Sequence, residues 1–437
     1  MGMDSEHETR FEAYIAKLAS VLGHADRHEP LRAYCQGLVL PGDRKSVEPM
    51  AARVDPLHVR SRHQSMHHFV ADSPWSDAEV LRVAREWALE AMEGQGPLEA
   101  WIVDDTGFPK KGSHSVGVAH QYCGALGKTA NSQCAVSVSL ANRIASVPGA
   151  FRLYLPDAWT KDPERREKAG VPESIGFQTK WQIALNLIDQ LEKGGVRKVP
   201  VLADAGYGNA TGFREGLTER GFIYTVGIGP QPTVWTPENA PLPPKPKSKG
   251  KPGRPAKCLG RDADHPPRSV LEVAKALPEK AWRDVTWAEG TRGKMCSRFA
   301  ALRVRVASSD TKRTEPRDEE WLLIEWPKED SEPAKYWLST EAAETPLPDL
   351  VTKAKLRWRV ERDFQELKDE IGLDHYEGRG WRGFHHHASL SIATYAFIVA
   401  ERARLSPPSP RALLGLREPA LSLSPRGRPA AAAGGST

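Results

Sequence analysis

Long apolar runs are missing from this 437-residue chain. None approaches the roughly 20 residues that a bilayer-spanning helix needs. The opening stretch MGMDSEHETRFEAY is charged and has no apolar core of the kind a signal peptide carries. The expectation is a cytoplasmic protein that works without a membrane. Cysteine is also scarce: Cys35, Cys123, Cys134, Cys258 and Cys296 are odd in number and form no CxxC pair. That pattern argues against a zinc cluster and for reduced thiols. Neither sign of charge dominates, with 61 Lys and Arg against 56 Asp and Glu, a net charge of +5 and a pI near 8.8. A balance this mildly basic permits a nucleic-acid partner without demanding one. The length leaves room for two or three domains and a substantial core.

What is present is concentrated in three stretches. In LRWRVERDFQELKDEIGLDHYEGRGW, residues 356–381, no Gly or Pro occurs before Gly372, and Val360, Phe364, Leu367 and Ile371 recur at helical spacing. The pattern predicts one helix with a buried face, bordered by a second stripe of Arg357, Glu361 and Lys368. Taken alone, such a stripe is an ordinary set of i,i+4 ion pairs. The second stretch, AWIVDDTGFPKKG, is a short apolar run that ends in Asp104 and Asp105 before a turn. The third, KVPVLADAGYGN, leads through Val199, Val201 and Leu202 into Asp204, then Gly206 and Gly208. Both read as buried strands with a carboxylate at the C-terminal end, which is where open α/β sheets place ligands. Two strand-end aspartates and a helix glutamate that meet at one point repel one another unless a cation joins them. Hard oxygen ligands of this kind point to Mg²⁺ or Mn²⁺.

The order Asp104, Asp204, Glu361 resembles the DDE triad of bacterial insertion-sequence transposases, whose catalytic core is RNase H-like. Arg357-x3-Glu361-x6-Lys368 is similar to that group's signature around the glutamate, Y-x2-R-x3-E-x6-K, with Ala354 in the place of the tyrosine. DDTGFPKKG, HSVGV-x-x-QYCG-x-LGK, DAGYG and LDHYEGR-x-WRG-x-HHH extend the likeness over residues 34–405. In the related proteins the strand-end aspartate is followed by any residue and then Thr, which matches Asp104-Asp105-Thr106 with Asp104 as the ligand. Neighbouring strand side chains point to opposite faces, so Asp105 stands as the alternative to Asp104.

The resemblance and the pattern together imply an α/β fold: an RNase H-like mixed sheet with flanking helices, interrupted by an all-β insertion and preceded by a helical domain. Residues 1–95 read as helical, with Phe11, Tyr14, Ile15, Leu18 and Leu22 at helical spacing and a Ser76-Asp77 helix start. Arg44, Lys45, Arg53, Arg60 and Arg62 make this part either a DNA-binding module or a capping bundle with a solvated basic rim. His63 and His67 are four apart but have no third ligand at matching spacing, and with His68 they read as ordinary helix residues. Residues 96–230 form the first part of the core. There, 133–140 alternates as a half-buried strand, pairs with 150–155 across a Val147-Pro148-Gly149 turn, and is followed by an amphipathic helix over 178–191. A helix near 213–220 then separates the strand of Asp204 from one at 222–226. Three antiparallel strands, a helix and two further strands is the order of an RNase H-like sheet.

Residues 231–345 comprise a Pro/Lys linker, 236–257, and a β-rich insertion with strands at 283–287, 299–306, 321–326 and 334–339. Trp287, Trp321, Trp326 and Trp337 are either stacking platforms for a flipped base or core residues of a small sheet, with core the simpler reading. Gly253-Arg254-Pro255 and Arg426-Gly427-Arg428-Pro429 are similar to the core of a minor-groove hook, a tripeptide common by chance in basic Pro-rich segments. Residues 346–405 complete the core with the Glu361 helix, a glycine-rich basic loop around Arg379, Trp381 and Arg382, and an apolar closing helix after His385, His386 and His387. From 406 to 437 the composition of Pro, Ala, Gly and Arg predicts disorder.

The resemblance implies a DNA transposase that cuts and joins strands at the terminal inverted repeats of an insertion sequence. Asp104, Asp204 and Glu361 then hold two divalent ions, Mg²⁺ or Mn²⁺. Arg357, Lys368, Lys110, Lys111, Arg379 and Arg382 contact double-stranded DNA, and synapsis of two ends implies a homodimer or larger assembly. Two other readings stay open: an RNase H-like nuclease or resolvase without strand transfer, and a transposase-derived DNA-binding protein without chemistry.

Overall fold

The computed structural model of the chain describes residues 2–244, 257–290, 293–308 and 310–405. Gly253-Arg254-Pro255, Arg426-Gly427-Arg428-Pro429 and the segment 406–437 lie outside the described residues.

Five helices come first: α1 (Gly2–Ala19), α2 (His28–Val39), α3 (Val47–Val54), α4 (Val59–Ala71) and α5 (Asp77–Glu93). The start read at Ser76 holds, because its hydroxyl accepts from the Glu79 amide and so satisfies one of the orphan donors of α5. Tyr14, Ile15, Leu18 and Leu22 are buried as their spacing predicts.

The sheet begins with β1 (Ala100–Pro109), β2 (Ala119–Cys123), β3 (Lys128–Ala141) and β4 (Ser146–Leu153). β3 pairs antiparallel with β1, with β4 and, near its start, with β2. Two sequence readings change here. Residues 133–140 are buried throughout rather than alternately, since both faces of β3 are covered; the buried Ser137 is satisfied by donating to the Asp104 carbonyl at 3.2 Å. The β3–β4 turn lies at Asn142, whose side-chain oxygen accepts from the Ile144 and Ala145 amides at 2.9 and 2.8 Å. Pro148 and Gly149 instead lie within β4, where the ladder shifts register opposite Val138 and Ser139. A bulge tolerates the missing proline donor.

After the short helices α6 (Asp157–Thr160) and α7 (Pro163–Lys168) comes α8 (Lys180–Lys193), opened by a capping box between Thr179 and Gln182. β5 (Val201–Ala203), α9 (Ala205–Gly208), α10 (Thr211–Glu219) and β6 (Tyr224–Ile228) follow. β5 runs parallel to β1 on one side and to β6 on the other. Ala100, Ile102 and Leu202 join the N-terminal helices in one core cluster, whereas Trp101, Val103, Val201 and Ala203 join residues of α8 and α10 in another. The two faces of the central strands are thus covered by different layers.

The later strands are β7 (Thr233–Trp235), β8 (Arg268–Ser269), β9 (Arg283–Gly290), β10 (Gly293–Val306), β11 (Glu320–Glu325) and β12 (Lys335–Ser339), with α11 (Val270–Ala276) between β8 and β9. All of the strands read from sequence over 283–339 are present, yet they do not form a detached sheet. β12 pairs antiparallel with β6, and β11 and β10 continue outward, so the strands form one sheet of twelve. Main-chain pairing at the β6 edge covers what is otherwise an exposed row of donors and acceptors.

Three helices complete the described chain: α12 (Leu347–Leu356), α13 (Trp358–Asp369) and α14 (Trp381–Leu405). The helix expected over 356–371 is present as α13, which starts at Trp358, and Arg357 separates it from α12 despite the absence of Gly or Pro. Leu350, Val351 and Ala354 pack with the β9–β12 strands, while Val360, Phe364 and Leu367 pack on the other side of the break with the N-terminal helices and α14. The two helices thus belong to two cores, and Arg357 is the junction between them. Trp381, read as part of a loop, instead opens α14 and is 9% exposed. No helix among the described residues is long and apolar enough to cross a membrane.

Candidate active site

Side-chain parity puts Asp104 and Asp105 on opposite faces of β1. Even-numbered Ala100 and Ile102 of β1 face the layer that holds α13, and odd-numbered Trp101 and Val103 face α8 and α10. Asp104 continues the first series and Asp105 the second. The contacts agree. Asp104 accepts a hydrogen bond from the Arg357 guanidinium at 2.8 Å, while Asp105 is paired with Lys180 at the start of α8 and accepts from the Cys134 thiol at 3.1 Å.

Asp204 reaches the same place through strand register. Val103 of β1 stands opposite Ala203 of β5 in the parallel ladder, and Asp104 and Asp204 are the residues that follow them. Adjacent strands lie about 4.8 Å apart. The Asp204 carboxylate caps α9, accepting from the Gly206 and Tyr207 amides at 2.9 and 3.3 Å. Gly208 is needed for close approach: a Cβ there meets the Gly227 carbonyl oxygen of β6 at 1.9 Å. The second glycine of DAGYG thus lets α9 lie against β6 with Asp204 at its head.

Burial pushes the Asp104 carboxyl up to about 7; Arg357 opposes this, and the neighbouring charges of Asp204 and Asp105 add to it. Glu361, four residues past Arg357, is bonded to the same guanidinium, and its side chain is 61% exposed. Burial works against the charge of Arg357, but Asp104, Glu361 and Asp204 keep its pKa above the ordinary value. Asp104 and Asp204 are therefore neighbours, and Glu361 is joined to Asp104 through Arg357. Among the described residues no three His, Cys, Asp or Glu side chains converge closely enough to hold a metal ion, and the guanidinium stands between Asp104 and Glu361.

The other cations singled out from sequence divide into two sets. Lys368 donates to the Gly107 carbonyl at 2.9 Å and Lys110 to the Tyr376 carbonyl at 2.8 Å. Both are partly buried, and burial lowers both pKa values. They tie β1 and the loop after it to α13 and the segment beyond it. Lys111 and Arg379 are exposed, and the exposed Arg382 donates to the Asp72 carbonyl at 2.9 Å. In the N-terminal part Lys45 is buried and donates to the Leu38 carbonyl at 2.8 Å, whereas Arg44 and Arg60 are exposed.

The tryptophans of the later strands and the histidines of α14 make contacts within the protein, whereas His67 and His68 are exposed. Lys355 lies over the Trp287 ring at 4.3 Å, Arg303 over Trp321 at 5.2 Å and Arg298 over Trp326 at 5.5 Å, while Trp337 is 7% exposed. His385, His386 and His387 are all buried, and each bonds to main-chain groups: Leu153 for the first, Val70 and Trp75 for the second, Gly372 for the third. Burial lowers the pKa of His386 and of His387 to about 4 and also lowers that of His385, so the three rings act as neutral cross-links between α14 and its neighbours.

Three features carry little or no mark in the sequence pattern. Lys180 has no linear signal, since only the fold brings it to Asp105. Asp363 is buried on α13 and accepts from the Ser146 and Tyr395 hydroxyls at 2.8 and 3.0 Å. A carboxylate between Val360 and Phe364 on an apolar stripe is the signal that could have found it. A cavity of about 740 Å³ opens beside Asp363, lined among others by Leu202, Trp287, Trp358, Arg359 and Tyr395.

A probable transposase for insertion sequence element IS701 from Microchaete diplosiphon is similar to part of this chain. It is 37% identical over 167 residues, which are 38% of this chain and 40% of that protein. Residues 17–294 match the DDE superfamily endonuclease family, a span that includes Asp104 and Asp204 and ends before Glu361. That span exceeds half of the chain, and the chain belongs to the DDE superfamily endonuclease family.

Proposed function

We propose that this chain is a transposase, cutting DNA at the ends of an insertion sequence and joining the freed ends to target DNA. The observation that carries this reading is the meeting of Asp104 and Asp204 on neighbouring parallel strands, with Glu361 on the helix that covers the same face. The strand order β4-β3-β1-β5-β6, with the last three parallel, supports an RNase H-like core, and the strands from β7 to β12 then form an insertion that extends its sheet. The similarity to a probable insertion-sequence transposase supports the same reading.

The donor set fits a hard divalent cation. All three candidates are carboxylates, and the buried one is raised to about 7 beside a second carboxylate, so positive charge is needed between them. Asp104, Asp204 and Glu361 would hold Mg²⁺ or Mn²⁺, in two-ion form a supplier of Lewis acidity and of a water nucleophile near neutral pH. Asp204 is oriented by the α9 amides and Asp104 by its strand, so these ligands are fixed in advance while the exposed Glu361 can adjust. Lys111, Arg379 and Arg382 are the exposed cations for DNA phosphates, with Arg357 nearest the carboxylates. Lys110 and Lys368 hold β1 and the loop after it in place. The substrate is double-stranded DNA bearing terminal inverted repeats, and joining two ends calls for a dimer or larger assembly on DNA.

The test is incubation of the full chain with Mg²⁺ and DNA that carries the repeats flanking its own gene. The reading expects nicked and joined products, both abolished in Asp204→Ala. Nicking without joining points instead to a nuclease or resolvase, and DNA binding without either product points to a non-catalytic descendant.

A further inference from the structure

Arg357 does two things at once. Its backbone forms the junction between α12 and α13, and its side chain, 24% exposed, donates from one nitrogen to Asp104 at 2.8 Å and from another to Glu361. The planar fork of a guanidinium matches two carboxylates in this way, where an ammonium offers only a point charge. It stands between Asp104 and Glu361, the two carboxylates that with Asp204 would hold the ion. Lys368, the other cation of the same stripe, is spent differently: its ammonium rests on the Gly107 carbonyl and over the Phe108 ring at 5.3 Å.

A carboxylate that is 14% exposed and stands beside a second one needs a cation to stay charged. We infer that Arg357 is the resident counter-cation of this site: without a divalent ion it clamps Asp104 to Glu361, and ion binding displaces its guanidinium toward DNA phosphate. The inference rests on the reading of Asp104, Asp204 and Glu361 as metal ligands and adds a competitor for them within the chain. It also couples ion and DNA. The guanidinium serves either the carboxylates or a phosphate, so an ion that takes its place makes it available to the substrate, and by linkage DNA favours the ion.

A purely architectural arginine and a resident counter-cation predict different things. Removal of either lowers the stability of the ion-free protein. Only removal of a competitor makes the ion bind more tightly. The experiment is Mn²⁺ titration of the full chain without DNA, followed by electron paramagnetic resonance of free Mn²⁺, with thermal unfolding measured with and without the ion. Arg357→Gln should melt at a lower temperature without Mn²⁺ and bind Mn²⁺ at least about tenfold more tightly than the parent. Lys368→Met, which removes a nearby charge that touches no carboxylate, should change affinity by less than about threefold. Should Arg357→Gln fail to fold, Arg357→Lys keeps the charge without the fork and should still bind Mn²⁺ more tightly than the parent.

Binding that Asp204→Asn abolishes, but that Arg357→Gln or Arg357→Lys leaves equal or weaker, overturns the inference and spares the ligand reading. An equal gain in Lys368→Met overturns it as well, since general charge then accounts for the effect. Absence of any Asp204-dependent Mn²⁺ binding in the parent and in all the variants defeats the ligand reading itself.

Discussion

Lys180 and Asp105 form an ion pair on the sheet face opposite Glu361. Two adjacent aspartates on one strand are thereby given different work, Asp104 toward α13 and Asp105 toward α8. Asp104→Asn should lower metal-dependent nicking at least about 100-fold, because a ligand is lost, whereas Asp105→Asn should cost about tenfold, the scale of a group that acts through its neighbours. Nicking of supercoiled plasmid in Mg²⁺ by the two variants, side by side, checks the assignment. The reverse ranking would move the ligand role to Asp105.

Gly208 faces the Gly227 carbonyl across a gap that no side chain fits. Because the obstacle is backbone, relief requires α9 to move off β6, and Asp204 caps α9. Gly208→Ala should therefore destabilise the fold by about 1–3 kcal/mol. It should also weaken Asp204-dependent Mn²⁺ binding in the molecules that remain folded. Urea unfolding gives the first quantity and Mn²⁺ titration the second. Loss of stability with unchanged binding would mean that α9 does not set the Asp204 carboxylate.

Asp363 provides a pH signature on the buried side of α13. Burial raises its pKa to about 6 from 3.8, with the Ser146 and Tyr395 hydroxyls opposing the shift. The folded chain therefore keeps a proton that the unfolded chain releases. The contribution of this group is whole below pH 3.8 and is lost as the pH rises through about 6. The amide that replaces the carboxyl in Asp363→Asn never titrates and keeps an oxygen for both hydroxyls. The stability of Asp363→Asn relative to the parent should therefore rise by roughly 3 kcal/mol between about pH 4 and pH 6 and level off above. Chemical unfolding of both proteins across that range measures it, and a difference that does not change with pH contradicts the protonated buried state.

Local pattern revealed much of this molecule, and long-range packing decided the remainder. The alternation of Trp101, Ile102 and Val103 was enough to put Asp104 and Asp105 on opposite faces, since a strand has only two, while the preference for Asp104 came from the family resemblance. The strands at 283–339 were visible because each is short, apolar and bounded by turns. Their attachment to β6 was not, because a sheet edge leaves no mark on the partner that will cover it. The helix that precedes Arg357 was not read from the sequence at all: Leu350 and Val351 answer to one core, Val360 and Phe364 to another, and only the fold shows the second partner. Pro148 misled as a turn residue because a bulge in β4 satisfies the same requirement. Lys110 and Lys368 read as DNA contacts, and spacing alone did not show the carbonyl acceptors that the fold brings to their ammonium groups.

The claim on which the account depends is that Asp104, Asp204 and Glu361 together bind the ions that cut DNA. Crystals of the full chain soaked in Mn²⁺, with anomalous diffraction recorded at the manganese edge, test it most directly. The account predicts an anomalous peak in contact with the carboxylates of Asp104 and Asp204, with Glu361 drawn toward it and Arg357 displaced from Asp104. A Mn²⁺-soaked crystal in which Arg357 still bridges Asp104 and Glu361, from protein that nicks DNA in the same buffer, would contradict it.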